Sequence, residues 1–532
     1  MAADVVAILR RFERMKSGRS VVETDIRDCY RYTDPSRGAG FESCGTVATD
    51  QGSSNFANAR DKKADLLTDV GTDSARILAS AFMSGTTPAN SLWAELQVPG
   101  ASDASQKWLE QASKTQWENI HNSNFDAVGF DCNFDMVIAG QFALFVDEAP
   151  EGGYFFEQWP LANTYYASSR PGGPIDTVAN EFALSAEQAV NNYGEDMVSE
   201  QIREAYRKGN VDQQFEFVRM VYPRPGPHGM LSRNLPIASC HVEKAQRKLV
   251  REKGYHEMPV GVPRWKLIPG SAYALGPAYD ALPSLKTLNK AIELVMLNMD
   301  LATAGMWIAQ DDGVLNTRSI RVGARRVIIA NSTESMKPLV PGTKFDAAFL
   351  NIERLEASIR KTLMADHLSP QSTDPVRTAT DVSIRVELIR QLLGPMYGRM
   401  FSEYVKWLSL RCFGIAYRAG VYGPAPRDLR DKVLSVRAIS PLARAQRTFE
   451  VAAMDRMELS LFGQADAGMT TVLDNYDFDK AARLRHDLLG VPKELLVDED
   501  ERDARRQQRA EEARQQQAAA MAAEAAGNQE PR

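Results

Sequence analysis

Four groups of residues in this sequence could do chemistry. Cys240-His241 with His256 offers sulfur and nitrogen donors of the kind zinc takes, but no fourth ligand stands at a workable spacing. Asp311-Asp312-Gly313 sets two carboxylates beside a glycine, which suits a cation loop and equally a polar turn. Arg318, Arg321, Arg325 and Arg326 lie just ahead of Val327-Ile328-Ile329. They could contact phosphate, dock a protein or form a solvated face. Trp93, Trp159, Tyr165, Tyr166 and Trp265 could stack on bases or sugars, although core packing is the ordinary use of such rings. No GxxxxGK[ST] loop, GxSxG elbow, HExxH pair or EF-hand loop occurs, and no GxGxxG follows a strand. We therefore expect no enzyme, no cofactor and no metal.

The elements that must carry these residues are legible from periodicity. Leu285, Leu288, Ile292, Val295, Met299, Ala302 and Met306 recur at alternating steps of three and four. That period of about 3.5 residues makes a narrow seam, expected to pack against a neighbouring helix over its full length. Phe345, Phe349, Ile352, Leu355, Ile359 and Leu363 form a second stripe. Between the stripes, 307–344 reads as strand-like and basic. A helix pair holding out a small basic knob suits a spacer that presents a docking surface.

Ahead of the pair, 1–270 reads as an α+β body. Helices are expected over 56–84 and 103–125, and strands within 136–146, 154–159 and 215–222. Ser185-Ala186-Glu187-Gln188 has the form of a capping box and should open a helix running to about Lys208. Behind the pair, a loop with Pro370 and Pro375 leads into a long helix marked by Val382, Val386, Ile389, Leu393, Met396, Met400 and Trp407. Gly394-Pro395 sits inside it and predicts a kink, because proline removes a donor and clashes with the preceding turn. Shorter helices are expected over 441–463 and 478–490. The tail after Val497 is helix-prone but has almost no large apolar residue to bury. The class is α+β, mainly helical.

A chain of 532 residues is too long for one core. Its net charge of −6 excludes a generally basic, nucleic-acid-coating protein. Cys29, Cys44, Cys132, Cys240 and Cys412 are scattered and odd in number, so free thiols in a reducing compartment are expected. No secretory signal is visible. The apolar stretches 77–94 and 291–309 are interrupted by Gly85, Pro88 and Asn90 and by Glu293 and Asp300, so no membrane span is expected.

Four segments together resemble the portal (head-to-tail connector) proteins of short-tailed double-stranded DNA bacteriophages. The first runs from Leu67-Thr68-Asp69-Val70-Gly71-Thr72 through Ile77-Leu78 to Gly85, Pro88 and Trp93. The second runs from Pro263-Arg264-Trp265 through Tyr273 and Gly276-Pro277 to Leu285-Lys286 and Leu288-Asn289. The third is Thr378-Ala379-Thr380-Asp381-Val382 with Arg385, Glu387 and Leu393-Gly394-Pro395. The fourth is Ser440-Pro441-Leu442-Ala443-Arg444-Ala445-Gln446. The likeness spans roughly 56–450.

The resemblance implies an outer wing over 1–276, stem helices over 277–305 and 345–366, and a clip over 306–344. It implies a tunnel loop over 367–378, a long kinked helix over 379–420, a crown over 421–490, and a C-terminal helical barrel or flexible tail over 491–532. His367, Ser369, Gln371, Thr373 and Arg377 would then face DNA, and Arg318, Arg321, Arg325 and Arg326 would form the clip docking surface. Gly394 and Pro395 would set the helix kink. Such proteins form rings, commonly of twelve copies, and carry no catalytic activity. Their partners are double-stranded DNA held without sequence preference, the terminase large subunit, a tail adaptor, and the major capsid and scaffold proteins. They belong to the capsid portal vertex of the virion, after assembly in the host cytoplasm.

Overall fold

The computed structural model describes residues 4–42, 53–226, 229, 231–304, 306–309, 336–339, 345–368, 398–429, 432–439, 441–466, 470–489, 495, 497 and 499–527. Among the described residues helices outnumber strands and the five-stranded sheet is antiparallel throughout, so the α+β, mainly helical class holds. The chain divides into two units, one from 1–83, 125–147 and 155–404, the other from 84–124, 148–154 and 405–532.

The first unit is organised by its N-terminal helix, Val5–Tyr32. Asp4 caps it, accepting the N–H groups of Val6 (3.0 Å) and Ala7 (3.3 Å). Ile8, Phe12 and Met15 repeat at helical spacing and pack on Ala179, Val218, Met220, Ala238, Cys240 and Val242. Those residues line one face of a five-stranded sheet built from Thr164–Ala167, Thr177–Ser185, Gln214–Pro223, Ile237–Glu243 and Lys248–Tyr255. Each strand pairs with the next in the chain, so the sheet is a meander. The other face packs on Phe145 and Trp159 toward one end. Toward the other it packs on two short helices, Ala186–Tyr193 and Glu200–Arg207.

A buried carboxylate ties the N-terminal helix to this sheet. Glu181 accepts from Lys16 Nζ at 3.0 Å and from Lys244 Nζ. Burial alone would raise its pKa, but the hydrogen bonds from Lys244 and Lys16 outweigh burial and hold it below the ordinary range. A depressed carboxylate pKa stabilises the fold above the unfolded value, near 4.5, and that contribution is lost as pH falls through the folded value. Both lysines are partly exposed, so Glu181→Gln should cost about 1–2 kcal/mol at neutral pH. The midpoint difference between wild type and variant, measured from neutral pH downward, should shrink below the ordinary glutamate range. A gap that stays constant in acid would refute this role.

Three local expectations are corrected. The run 136–146 is not one strand: helix Phe125–Ala139 occupies its first part and strand Ala143–Glu148 its last. The helix is buried on nearly all sides over Cys132–Ala139, so its apolar run carries no readable period. Gly140, at φ +78, ends it. The capping box forms as expected, with Gln188 N–H donating to Ser185 Oγ (3.2 Å) and Ser185 N–H to Gln188 Oε1 (3.0 Å). Its helix, however, stops at Tyr193, where Gly194 takes φ +87, and a second helix starts after its own cap, Ser199. The span 56–84 likewise separates into Ser53–Ala64 and Val70–Thr86.

In the second unit, strand Ala94–Gln97 pairs with Ser435–Ala438. Helix Asp103–His121 packs beside Lys406–Arg418, with Gln116 Nε2 donating to the Ser409 carbonyl at 2.9 Å. Trp108 Nε1 donates to the Tyr422 carbonyl at 3.2 Å. Hydrogen bonds from Ser105 and Ser102 lower the Asp428 pKa to about 2, which fixes the 3-10 turn Arg427–Leu429 to the start of that helix. Helices Pro441–Asp466 and Phe478–Leu489 pack together, and Arg506 of helix Glu499–Gly527 makes a two-point ion pair to Asp479 (2.6 and 2.8 Å). Pro441 stands at the first helical position, where its missing N–H costs nothing.

Candidate functional site

The helix pair is present in the first unit. Helix Pro277–Ala304 has 28 residues, a length of about 42 Å at 1.5 Å per residue. Helix Phe345–Thr362 has 18 and packs against it. The seam is graded along its length. Leu285 and Leu288 on one helix, Ile359 on the other and Leu363 just past its end are buried in the main core. Ile292, Ile352 and Leu355 are half-buried at its edge. Farther on, the seam residues Met299 and Phe349 are exposed, and so, beside the seam positions, are Leu294, Met296, Leu297 and Leu350, the last at 67%. The seam therefore does not close over its full length within one chain. Past the core, each helix keeps apolar side chains that its single partner does not cover.

The core end of the pair is where the sequence motifs converge. Asn289 Oδ1 accepts the Leu67 N–H at 2.8 Å, and Asn289 Nδ2 donates to the Asp65 carbonyl at 3.2 Å. This asparagine satisfies the backbone between helices Ser53–Ala64 and Val70–Thr86. A Cβ on Gly71 would lie 2.8 Å from a Leu285 methyl group. Leu67, Gly71, Leu285 and Asn289 are thus one contact, although they lie in two separate stretches of sequence. Gly140 and Gly276 pack backbone to backbone: a Cβ on Gly140 would meet the Leu275 carbonyl carbon at 2.2 Å.

A buried ion pair fixes the segment that leads away from this core. Arg264, 2% exposed, donates to Glu403 through Nε (3.2 Å), Nη2 (3.0 Å) and its own backbone N–H (3.1 Å). Nη2 also donates to the Gly173 carbonyl at 3.1 Å. Glu403 lies in a π-helical turn, Phe401–Val405, and Arg399 Nη1 donates to the Trp265 carbonyl at 2.9 Å. A second half-buried cation, Arg37, donates to Asp135 and Asp131 (2.8 Å each) and to Gln158 (3.0 Å). Burial disfavours its charge, but Asp135 outweighs burial and holds the guanidinium above its ordinary pKa. Neither network is visible in a sequence, because its members are far apart along the chain.

Strands Met306–Ala309 and Met336–Leu339 pair antiparallel at the base of the knob between the helices. Arg318, Arg321, Arg325 and Arg326 lie outside the described residues, as do Ser369, Gln371, Thr373, Arg377, Gly394 and Pro395. His367 falls in the short helix Ala365–Leu368, but its side chain is outside the description. Cys240 and His241 cannot share an ion, since consecutive strand residues face opposite sides of the sheet. Cys240 faces the N-terminal helix, and burial pushes its thiol up to about 11. His241 Nδ1 is bound to the Tyr193 hydroxyl at 2.8 Å on the other side. Among the described residues no group of three His, Cys, Asp or Glu could hold a metal, and no helix is long and apolar enough to cross a membrane.

The family described as bacteriophage head to tail connecting protein matches residues 6–496. The chain belongs to that family and is a virion protein that connects head to tail. It is 24% identical over 466 residues to the probable portal protein of Bordetella phage BPP-1, covering 81% of this chain and 80% of that protein. It is also 24% identical over 509 residues to the portal protein of Salmonella phage epsilon15, covering 93% and 89%. Among solved structures, it is similar to a chain in the neck of an empty gene transfer agent particle, at 12% identity and a TM-score of 0.35, covering 80% of this chain and 90% of that one.

Proposed function

We propose that this chain is the subunit of a portal ring, a DNA conduit at one capsid vertex used for genome packaging, retention and ejection. The observation that carries this reading is the apolar stripe of the helix pair, which runs past the cover one chain provides. A closed ring of identical copies supplies the missing cover, and twelve is the copy number we assign. Double-stranded DNA passes through the bore without sequence-specific contact. The terminase large subunit and then the tail adaptor dock on the clip, and the ring sits among the major capsid and scaffold proteins. No catalytic step falls to this chain. With −6 per copy the ring is acidic overall, which suits a bore that must not hold phosphates tightly. An end-on negative-stain image of the purified protein should show rings with a central hole. Monomers or dimers alone at micromolar concentration would overturn the reading.

We assign the wing to 1–276, the stem to 277–305 and 345–366, the clip to 306–344, the tunnel loop to 367–378, the long helix to 379–420 and the crown to 421–490. The tunnel loop would meet DNA through His367, Ser369, Gln371, Thr373 and Arg377, a set with little charge and hence a transient grip. Gly394 and Pro395 would set the angle of the helix that follows it. Charge reversal of the clip, Arg325→Glu with Arg326→Glu, should leave rings intact and weaken capture of the motor or the adaptor at least tenfold, about 1.4 kcal/mol. Unchanged capture of both partners would make these arginines a solvated face.

A further inference from the structure

The five-stranded sheet carries unpaired cations on the face turned away from the N-terminal helix. Arg219, His241 and Arg251 stand side by side on three adjacent strands. Lys253, opposite Ser239, lies two residues beyond Arg251 on the same face. With strands about 4.8 Å apart, the two arginines are rooted about 10 Å from each other, so both side chains can reach one anionic group between them.

Arg219 is the floor of the cluster. Its guanidinium carbon lies 3.9 Å from the Phe145 ring centroid and 4.9 Å from that of Trp159, and both rings are buried. Its Nε is buried and has no hydrogen-bond partner. Among the described residues no ion pair joins a carboxylate to Arg219, Arg251 or Lys253, whereas Arg224 and Arg264 each have one and Arg37 has two. His241 adds no donor toward the cluster through Nδ1, which is bound to Tyr193, and burial together with the surrounding cations keeps the ring neutral. Asp147, whose charge Lys253 feels, accepts the Tyr255 hydroxyl at 2.9 Å. A cation–π role would account for Arg219 alone. It would not account for two more unmatched cations beside it.

We propose that this cluster is a docking site for an acidic segment of a protein partner, with one carboxylate seated on the free edge of Arg219 and held by Arg251 and Lys253. The planar guanidinium offers a carboxylate two parallel donors, and the aromatic floor excludes water from the pair. Protein is favoured over DNA because Arg219 is half-buried and its Nε is wholly so. A carboxylate on a short flexible stem can enter a depression, whereas the phosphates of a stiff duplex are met by exposed side chains spread along it.

The site is independent of ring closure, so its failure leaves the portal reading intact. The test uses the full-length assembled protein and fluorescence anisotropy of a short Glu-rich peptide, its Gln counterpart and a short DNA duplex. The Glu peptide should bind, weaken with added salt, and outcompete both others. Arg251→Gln with Lys253→Gln should weaken it at least tenfold, about 1.4 kcal/mol, with the thermal midpoint unchanged because neither side chain is buried. Arg219→Lys, which keeps the charge but loses the fork, should weaken it as well. Lys208→Gln, at an exposed cation already paired to Glu204, should not. Equal binding of the Glu and Gln peptides, or no response to the double variant, would overturn the proposal. So would a duplex that competes as well as the peptide, since the cluster would then be a phosphate surface.

Discussion

Glu403→Ala should be among the most damaging single changes in the first unit, lowering the thermal midpoint by about 5–10 °C. The reason is Arg264. At 2% exposure its guanidinium has almost no water to fall back on. Removing the carboxylate leaves a buried charge with the Gly173 carbonyl as its remaining side-chain partner, and losing one member of a buried pair costs about 3–5 kcal/mol. Glu403→Gln should cost less, since the amide oxygen still accepts. The informative variant is the double one, Arg264→Met with Glu403→Leu. It removes both charges at similar volume, and its midpoint should recover most of the loss. Scanning fluorimetry of wild type, Arg264→Met, Glu403→Leu and the double variant gives the coupling directly. Single-variant losses near 1 °C, or a double variant as poor as the sum of the singles, would show that the pair adds little.

The contrast between that pair and the helix seam explains what the sequence makes legible. A seam is a local repeat: Leu285, Leu288 and Ile292 announce their common face because they are three and four residues apart. The same holds for the capping box at Ser185 and Gln188, whose two hydrogen bonds span three residues. Arg264 and Glu403 are 139 residues apart, so no window contains both. The misread stretch fails for another reason. Over Cys132–Ala139 nearly every side is buried, and a helix without a polar face looks like a buried strand until Gly140 ends it. The family motifs lie between these extremes. Leu67-Thr68-Asp69-Val70-Gly71 and Leu285 through Asn289 read as unrelated patches, yet the carboxamide of Asn289 and the bare Gly71 make them one joint. The cationic cluster of Arg219, Arg251 and Lys253 is invisible for the same reason: it exists only once three strands are in register.

Leu297→Glu combined with Leu350→Glu should abolish ring assembly while leaving the folded subunit at its normal midpoint. Both side chains are exposed in the single chain, so the substitutions remove no core packing and create no cavity. Their cost arises only where a neighbouring copy would cover them. Burying one leucine contributes about 1.5–3 kcal/mol, and two per interface make about 3–6, which is more than a hundredfold in association. A ring repeats that loss at every interface, and closure needs all of them, so a modest local penalty becomes all-or-none. The burial gradient sets the control. Leu288→Ala, at the core end where the seam is already closed within one chain, should cost about 2–5 kcal/mol of subunit stability. Mass photometry of the three proteins, paired with thermal scans, separates the two effects. Rings of normal mass from the double glutamate variant would mean that these exposed leucines face solvent or DNA and that the copies join elsewhere.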